Sequence, residues 1–373
     1  MQSPSSKHSI AHEISPAVRF ISLEGSDVEA KRKQILDYFV FTWEQYESLF
    51  HPLEDEALYA RAEPLRHPLI FYFGHTATFY INKMILAQIT DARVDPDLEA
   101  MFAIGVDEMS WDDLDSSHYD WPTKAVAQDY RDKAKSRICA FINSMEIKLP
   151  ITTKCPAWLV LMGIEHERIH LETSSVIMRM LPLDMIDDQR AESWNICAEA
   201  GSASEPEWIS MPASSVELGK RDRDLSYGWD NEYGCDEQHV EQFKVATTLV
   251  SNQEFLEFVQ QRGYEKTQYW TAEGRQWLDY TQSRHPRFWR ALLNGKYKQR
   301  NLFSEMPLPM DWPVEVNYLE AKAYCNWMRE RTGEPVRLPL EAEWVVLRES
   351  ELGSEPGVGN INLEQFASSC SVT

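Results

Sequence analysis

Four long segments in the first half of the chain carry apolar residues at helical period. Four helices that must each bury such a stripe leave little choice but a bundle. The first runs over roughly residues 28–50, with Ile35, Leu36, Phe39, Val40, Trp43 and Phe50 on one stripe. The second opens at His67 and Pro68 and continues to about residue 89; a proline suits a first helical turn. The third spans roughly 123–145, and the fourth roughly 156–181, entered through Pro156 and closed before Pro182. One long interruption, residues 107–121, is acidic and aromatic, and loops of this length inside a bundle are often functional.

The pattern changes near residue 200, where a Gly-Ser-Ala-Ser-Glu-Pro run (201–206) reads as a linker. Beyond it come short apolar pieces with glycines and prolines, and eight of the 13 tryptophans, so large aromatics are expected to form an irregular α+β core there. Helical stretches are expected near 252–262 and 318–331. The organisation predicted is a flexible tail (1–27), a helical domain (28–199) and an α+β domain (200–373).

Charge narrows the function. With 59 acidic against 37 basic residues the net charge is -22, a field that repels nucleic-acid phosphates and anionic membranes. The N-terminus lacks a basic region followed by an apolar core, and no apolar run is long enough for a bilayer, so a cytoplasmic protein is expected. The six cysteines form no Cys-x-x-Cys pair, which argues against a zinc ribbon or disulfide framework and fits a reducing compartment.

The sharpest chemical signal is the run Glu165-His166-Glu167-Arg168-Ile169-His170-Leu171-Glu172. On a helix His166 and His170 point the same way, with Leu159, Met162, Gly163, Thr173 and Ile177 around them, so they face the bundle interior. Two inward imidazoles either share a cation or each need a hydrogen-bond partner. A third ligand must come from elsewhere, and His75 fits best, mid-helix on the stripe Phe71, His75, Phe79, Asn82 and Leu86. Three histidines leave open coordination positions, suiting a metal that meets dioxygen or substrate directly; a closed zinc site uses four ligands. The same run also reads His-Glu-x-x-His, the zinc-protease pattern with Glu167 as base. Its extended form fails, because Thr173 and Val176 stand where glycine and a third histidine belong; a distant glutamate ligand, Glu192 or Glu199, stays open.

These residues resemble a known family. The segment from Gly163 to Thr173 resembles the His-x-x-x-His-x-Glu motif of DinB-like sulfoxide synthases, which open the ergothioneine and ovothiol pathways. HPLIFYFGHTATF (67–79) and GVDEMSWDDL (105–114) bring the likeness closer to the ovothiol branch, 5-histidylcysteine sulfoxide synthase. YGWDNE (227–232), PVEVN (313–317) with residues 321–327, and RLPLEAEW (337–344) resemble the formylglycine-generating-enzyme (sulfatase-modifying factor) domain, a C-type-lectin-like α+β unit. The resemblance implies a multidomain α plus α+β protein, a DinB-like four-helix bundle followed by that domain. It implies an iron(II) enzyme joining cysteine sulfur to a histidine imidazole carbon with dioxygen, its small-molecule substrates being cysteine, histidine and dioxygen. The iron ligands carried over are His75, His166 and His170, with Glu172 of the same motif no nearer than the shell behind them. The alternative within the DinB type is a divalent-metal thiol transferase that uses no dioxygen. Asp112 and Asp113, in the acidic loop, are expected at the substrate entrance, drawing an amino-acid ammonium. Family members continue past residue 373, so the second domain is expected to be incomplete here and the family's catalytic tyrosine to lie beyond it, leaving a metal-binding but weakly active chain.

Overall fold

The computed structural model describes residues 20–104, 119–197, 201, 203, 206–350 and 361–370. Helix α1 (Val28–Phe50) is opened by Asp27, whose carboxylate accepts from the amides of Glu29 and Ala30, two donors the helix itself leaves unsatisfied. Its buried face carries Ile35, Phe39, Trp43, Tyr46 and Phe50. Helix α2 (Leu69–Leu86) follows Pro68, and every residue from Leu69 through Ile81 is buried. A helix apolar all round belongs at the centre of a bundle. The short α3 (Pro96–Met101) is capped by Asp95. Helices α4 (Lys124–Ser144) and α5 (Pro156–Met180) complete the bundle, and the four-residue α6 (Asp188–Ala191) follows. Both α1 and α2 pack against α4 and α5.

Two glycines let helices approach closely. A Cβ on Gly163 of α5 would lie 2.0 Å from the Tyr80 ring of α2, and one on Gly74 of α2 would lie 2.3 Å from the Phe102 ring after α3. The α2–α5 contact, which carries all three candidate ligands, therefore depends on a missing side chain.

The second half is α+β, as expected. Antiparallel pairs β1 (Trp208–Met211) with β4 (Phe243–Ala246), and β2 (Ser214–Leu218) with β3 (Asp236–Val240), precede α7 (Asn252–Gln260) and α8 (Ala272–Thr281). A three-stranded antiparallel sheet follows, β5 (Trp289–Ala291), β6 (Tyr297–Arg300) and β7 (Glu305–Pro307), then α9 (Tyr318–Thr332) and α10 (Glu341–Glu349). The core is the aromatic one expected: Phe255, Phe258, Trp270, Trp289, Tyr324 and Trp327 pack together, with Phe255 and Tyr324 stacked at 5.3 Å. Capping boxes at Ser251/Glu254 and Asn317/Glu320 start α7 and α9.

The halves are joined at the end of α5. Arg179 donates to both oxygens of Glu315 at 2.7 Å and to the Arg300 carbonyl, while Arg300 donates back to the Leu181 carbonyl at 3.3 Å. Leu302, Phe303 and Ala367 enter the bundle core. All six cysteines are free thiols, and among the described residues no helix is long and apolar enough to cross a membrane.

Gly163→Ala should destabilise the protein by about 1–3 kcal/mol through overpacking against Tyr80. Chemical denaturation measures this, and unchanged stability would show that α2 and α5 can part freely.

Candidate metal centre

Antiparallel contact of α2 with α5 sets His75 opposite His166 and His170, and the three ligand atoms all lie within 4.8 Å of one another. The Nε2 atoms of His166 and His170 are 3.2 Å apart. With metal–nitrogen bonds of about 2.1 Å, that 3.2 Å edge subtends roughly 100° at a shared ion, between octahedral and tetrahedral values. His75 Nδ1 lies 2.7 Å from the Phe102 carbonyl. An N–H donated there fixes the tautomer and leaves Nε2 as the free lone pair, a common support for a ligating histidine.

The other two imidazoles have no such support. The Nδ1 atoms of His166 and His170 are buried without hydrogen-bond partners. Ring stacking positions them instead: Phe79 lies parallel to His166 at 3.7 Å and 8°, and Tyr72 tilts against His170 at 5.7 Å. Phe71 stacks on His75 at 5.0 Å and 17°. Beyond Phe71, His67, Tyr119 and Trp121 extend the aromatic wall.

Burial pushes all three imidazoles toward the neutral form. His75 falls to about 4 through burial, partly offset by the Phe102 carbonyl, and His170 to about 3. His166 is pushed well below its ordinary value, by burial first and then by the neighbouring His170, His75 and Lys83. Neutral imidazole is the ligating form, so a cation need displace no proton at neutral pH. Three converging neutral nitrogen donors, two of them on otherwise orphaned rings, fit a divalent transition metal.

Glu167, between the two α5 histidines, faces away from them. It is fully buried and accepts from Thr76 Oγ1 at 3.2 Å, Tyr80 Oη at 3.3 Å and Arg131 Nη2 at 3.2 Å. Burial raises its pKa and Arg131 draws it back down. A carboxylate held in this way cannot act on a metal-bound water, so the protease reading fails. Of its two candidate distant ligands, Glu192 is exposed and outside the histidine group, and Glu199 lies outside the described residues.

Arg131, also fully buried, joins the helices. It donates to Glu47 of α1 at 3.0 Å, and to the Phe73 carbonyl and Thr76 Oγ1 of α2 at 2.7 and 2.8 Å. Glu172 is exposed and is not part of the histidine group. Asp112, Asp113 and His118 lie outside the described residues, while His285 sits against Tyr297 in the second domain. Sequence reasoning missed the Glu167–Arg131 pair and the stacking partners, although the aromatic run at Phe71, Tyr72 and Phe79 was a usable signal.

Residues 38–174 match the DinB superfamily, and residues 196–350 match the sulfatase-modifying factor enzyme 1-like domain. The chain is similar to ergothioneine biosynthesis protein 1 of Schizosaccharomyces pombe, 23% identical over 342 residues, covering 78% of this chain and 38% of that protein. It is similar to hercynine oxygenase of Mycobacterium tuberculosis, 32% identical over 128 residues, covering 34% of this chain and 28% of that protein. Hercynine oxygenase of Mycolicibacterium thermoresistibile is 30% identical over 191 residues, covering 49% of this chain and 38% of that protein. The chain thus joins a part that matches the DinB superfamily to a part that matches the sulfatase-modifying factor enzyme 1-like domain, and it is similar to proteins named for hercynine oxygenation and ergothioneine biosynthesis. It spans 38% or less of each of these three relatives. The histidine group lies entirely in the DinB-matching part.

Replacing His75, His166 or His170 by alanine should lower metal affinity at least about tenfold, whereas His285→Ala should leave it unchanged. Metal titration followed by elemental analysis decides this, and full loading of His75→Ala would remove that residue from the set. Arg131→Met should destabilise by about 3–5 kcal/mol by stranding the Glu167 carboxylate. Adding Glu167→Leu should recover most of that loss in denaturant melts.

Proposed function

We propose that this chain is a non-haem iron(II), dioxygen-dependent sulfoxide synthase of the cytoplasm that joins cysteine sulfur to a histidine imidazole carbon, the opening step of ovothiol biosynthesis. The observation that carries this reading is the three-imidazole group, open to further ligands, in a chain whose relatives are named for hercynine oxygenation and ergothioneine biosynthesis. His75, His166 and His170 would hold the ion. Iron(II) bound there supplies the one-electron chemistry through which dioxygen and a thiol can react.

The balance is closed: a thiol S–H, an imidazole C–H and dioxygen give one C–S bond, one sulfoxide oxygen and one water, with dioxygen taking four electrons. The chain's own residues prepare the ground for that chemistry. Three neutral ligands leave the ion its full charge, which favours an anionic thiolate beside it. Phe71 and Phe79 stack on His75 and His166, Trp121 packs on Phe71, and the Phe102 carbonyl holds His75 in one orientation. The buried, neutral state of the imidazoles keeps them available as donors across the physiological range.

The test is anaerobic loading with iron(II), then exposure to dioxygen with cysteine and either histidine or hercynine. A product with the mass of both amino acids plus one oxygen less two hydrogens is expected, formed faster with histidine. Faster reaction with hercynine would move the chain to the ergothioneine side. Thiol transfer without oxygen uptake would establish the DinB-type transferase reading instead.

A further inference from the structure

On α2, Lys83 lies one helical turn beyond Phe79 and two beyond His75, so it shares their face. Its ammonium sits 5.1 Å from the Phe79 ring centre, and Phe79 is the ring stacked on His166 at 3.7 Å. A positive charge is thus placed beside the three-histidine group, one aromatic ring away from His166.

The half-buried ammonium makes no hydrogen bond or ion pair with any described residue, although the chain holds 59 acidic residues against 37 basic ones. Three other cations of the bundle are paired. Arg93 is paired with Glu99 at 2.6 Å, Arg131 with Glu167 at 3.2 Å, and Lys135 with Glu44 at 3.2 Å. The last turn of a helix favours a cation through its dipole, but that preference does not require the ammonium to fold back over Phe79. Next to a site for a divalent ion, an unpaired ammonium is unfavourable on its own, since both charges are positive. The arrangement becomes favourable when an anion arrives between them.

We propose that Lys83 is the carboxylate anchor of the metal centre, binding the α-carboxylate of an amino acid whose thiol or imidazole reaches the ion. This rests on the function proposed above and deepens it by naming the group that reads the amino-acid backbone. Cysteine and histidine share that carboxylate, and either could be the one held. Lys83 acts as a binding and positioning residue, separate from the three ligands.

Calorimetric titration of the iron(II)-loaded, oxygen-free protein tests it, with four probes: L-cysteine against cysteamine, and L-histidine against histamine. The second member of each pair lacks only the carboxylate. Lys83→Met should keep its iron, with an affinity equal to or tighter than that of the unaltered protein. It should bind one of the two amino acids about tenfold more weakly, the loss of one charge-assisted hydrogen bond. The matching carboxylate-free amine should change less than about twofold. The amino acid that weakens identifies which carboxylate is held, and Lys83→Arg should restore most of its affinity. Unchanged affinity for both amino acids, or equal weakening of amino acid and amine, overturns the assignment of Lys83 alone. Failure of the unaltered, iron-loaded protein to bind any of the four probes overturns the functional reading as well.

Discussion

The ion pair between Arg131 and Glu167 is the contact on which the rest of the bundle is arranged. Both side chains are fully buried, and their partners come from all four long helices: Glu47 on α1, the Phe73 carbonyl, Thr76 and Tyr80 on α2, Arg131 on α4 and Glu167 on α5. Removing two charges from water costs more than their attraction reliably returns, so such a pair is weak evidence for stability. What it supplies is register. Thr76 and Tyr80 flank the α2 turn beyond His75, and Glu167 lies between His166 and His170. When these groups satisfy one another, the three histidines are brought opposite each other on the neighbouring face. Arg131 also lies over the Trp43 ring at 4.1 Å, which ties the charge to the aromatic core of α1.

The face that carries the three histidines is built by other means. Among the three, His75 alone has a hydrogen-bond partner outside the histidine group, the Phe102 carbonyl, and Gly74 makes room for the ring of that same residue. His166 and His170 are held by Phe79 and Tyr72, leaving their Nδ1 atoms without partners. Polar contacts thus fix the helices from behind, while aromatic faces line the side that carries the imidazoles. The burial that goes with this division favours the neutral imidazoles.

Much of this was legible in the sequence. The four long helices lie within about three residues of where periodicity and the flanking prolines put them, because stripes such as Ile35, Phe39 and Trp43 admit one period only. His166 and His170 were readable as a pair from their spacing, and His75 from its place on a buried stripe. Glu167 was not, since its partner Arg131 is 36 residues away on another helix and nothing local links them. The six-residue α3 and the helices α8 and α10 were also missed; they are short and partly exposed, so their apolar period is weak. Glu172 shows the limit of motif reasoning: it shares the helix with His166 and His170 yet is exposed. Lys83 was overlooked because a last-turn lysine is ordinary until its lack of a partner is seen in space.

A tri-histidine iron centre shared by α2 and α5 is the central claim, and iron K-edge X-ray absorption on the iron(II)-loaded protein tests it most directly. Multiple-scattering analysis counts imidazoles around the ion. Three imidazole nitrogens at about 2.1 Å, with the remaining positions filled by light oxygen donors, is the predicted shell. A shell with no imidazole or only one, or one made of sulfur and carboxylate donors alone, would contradict it.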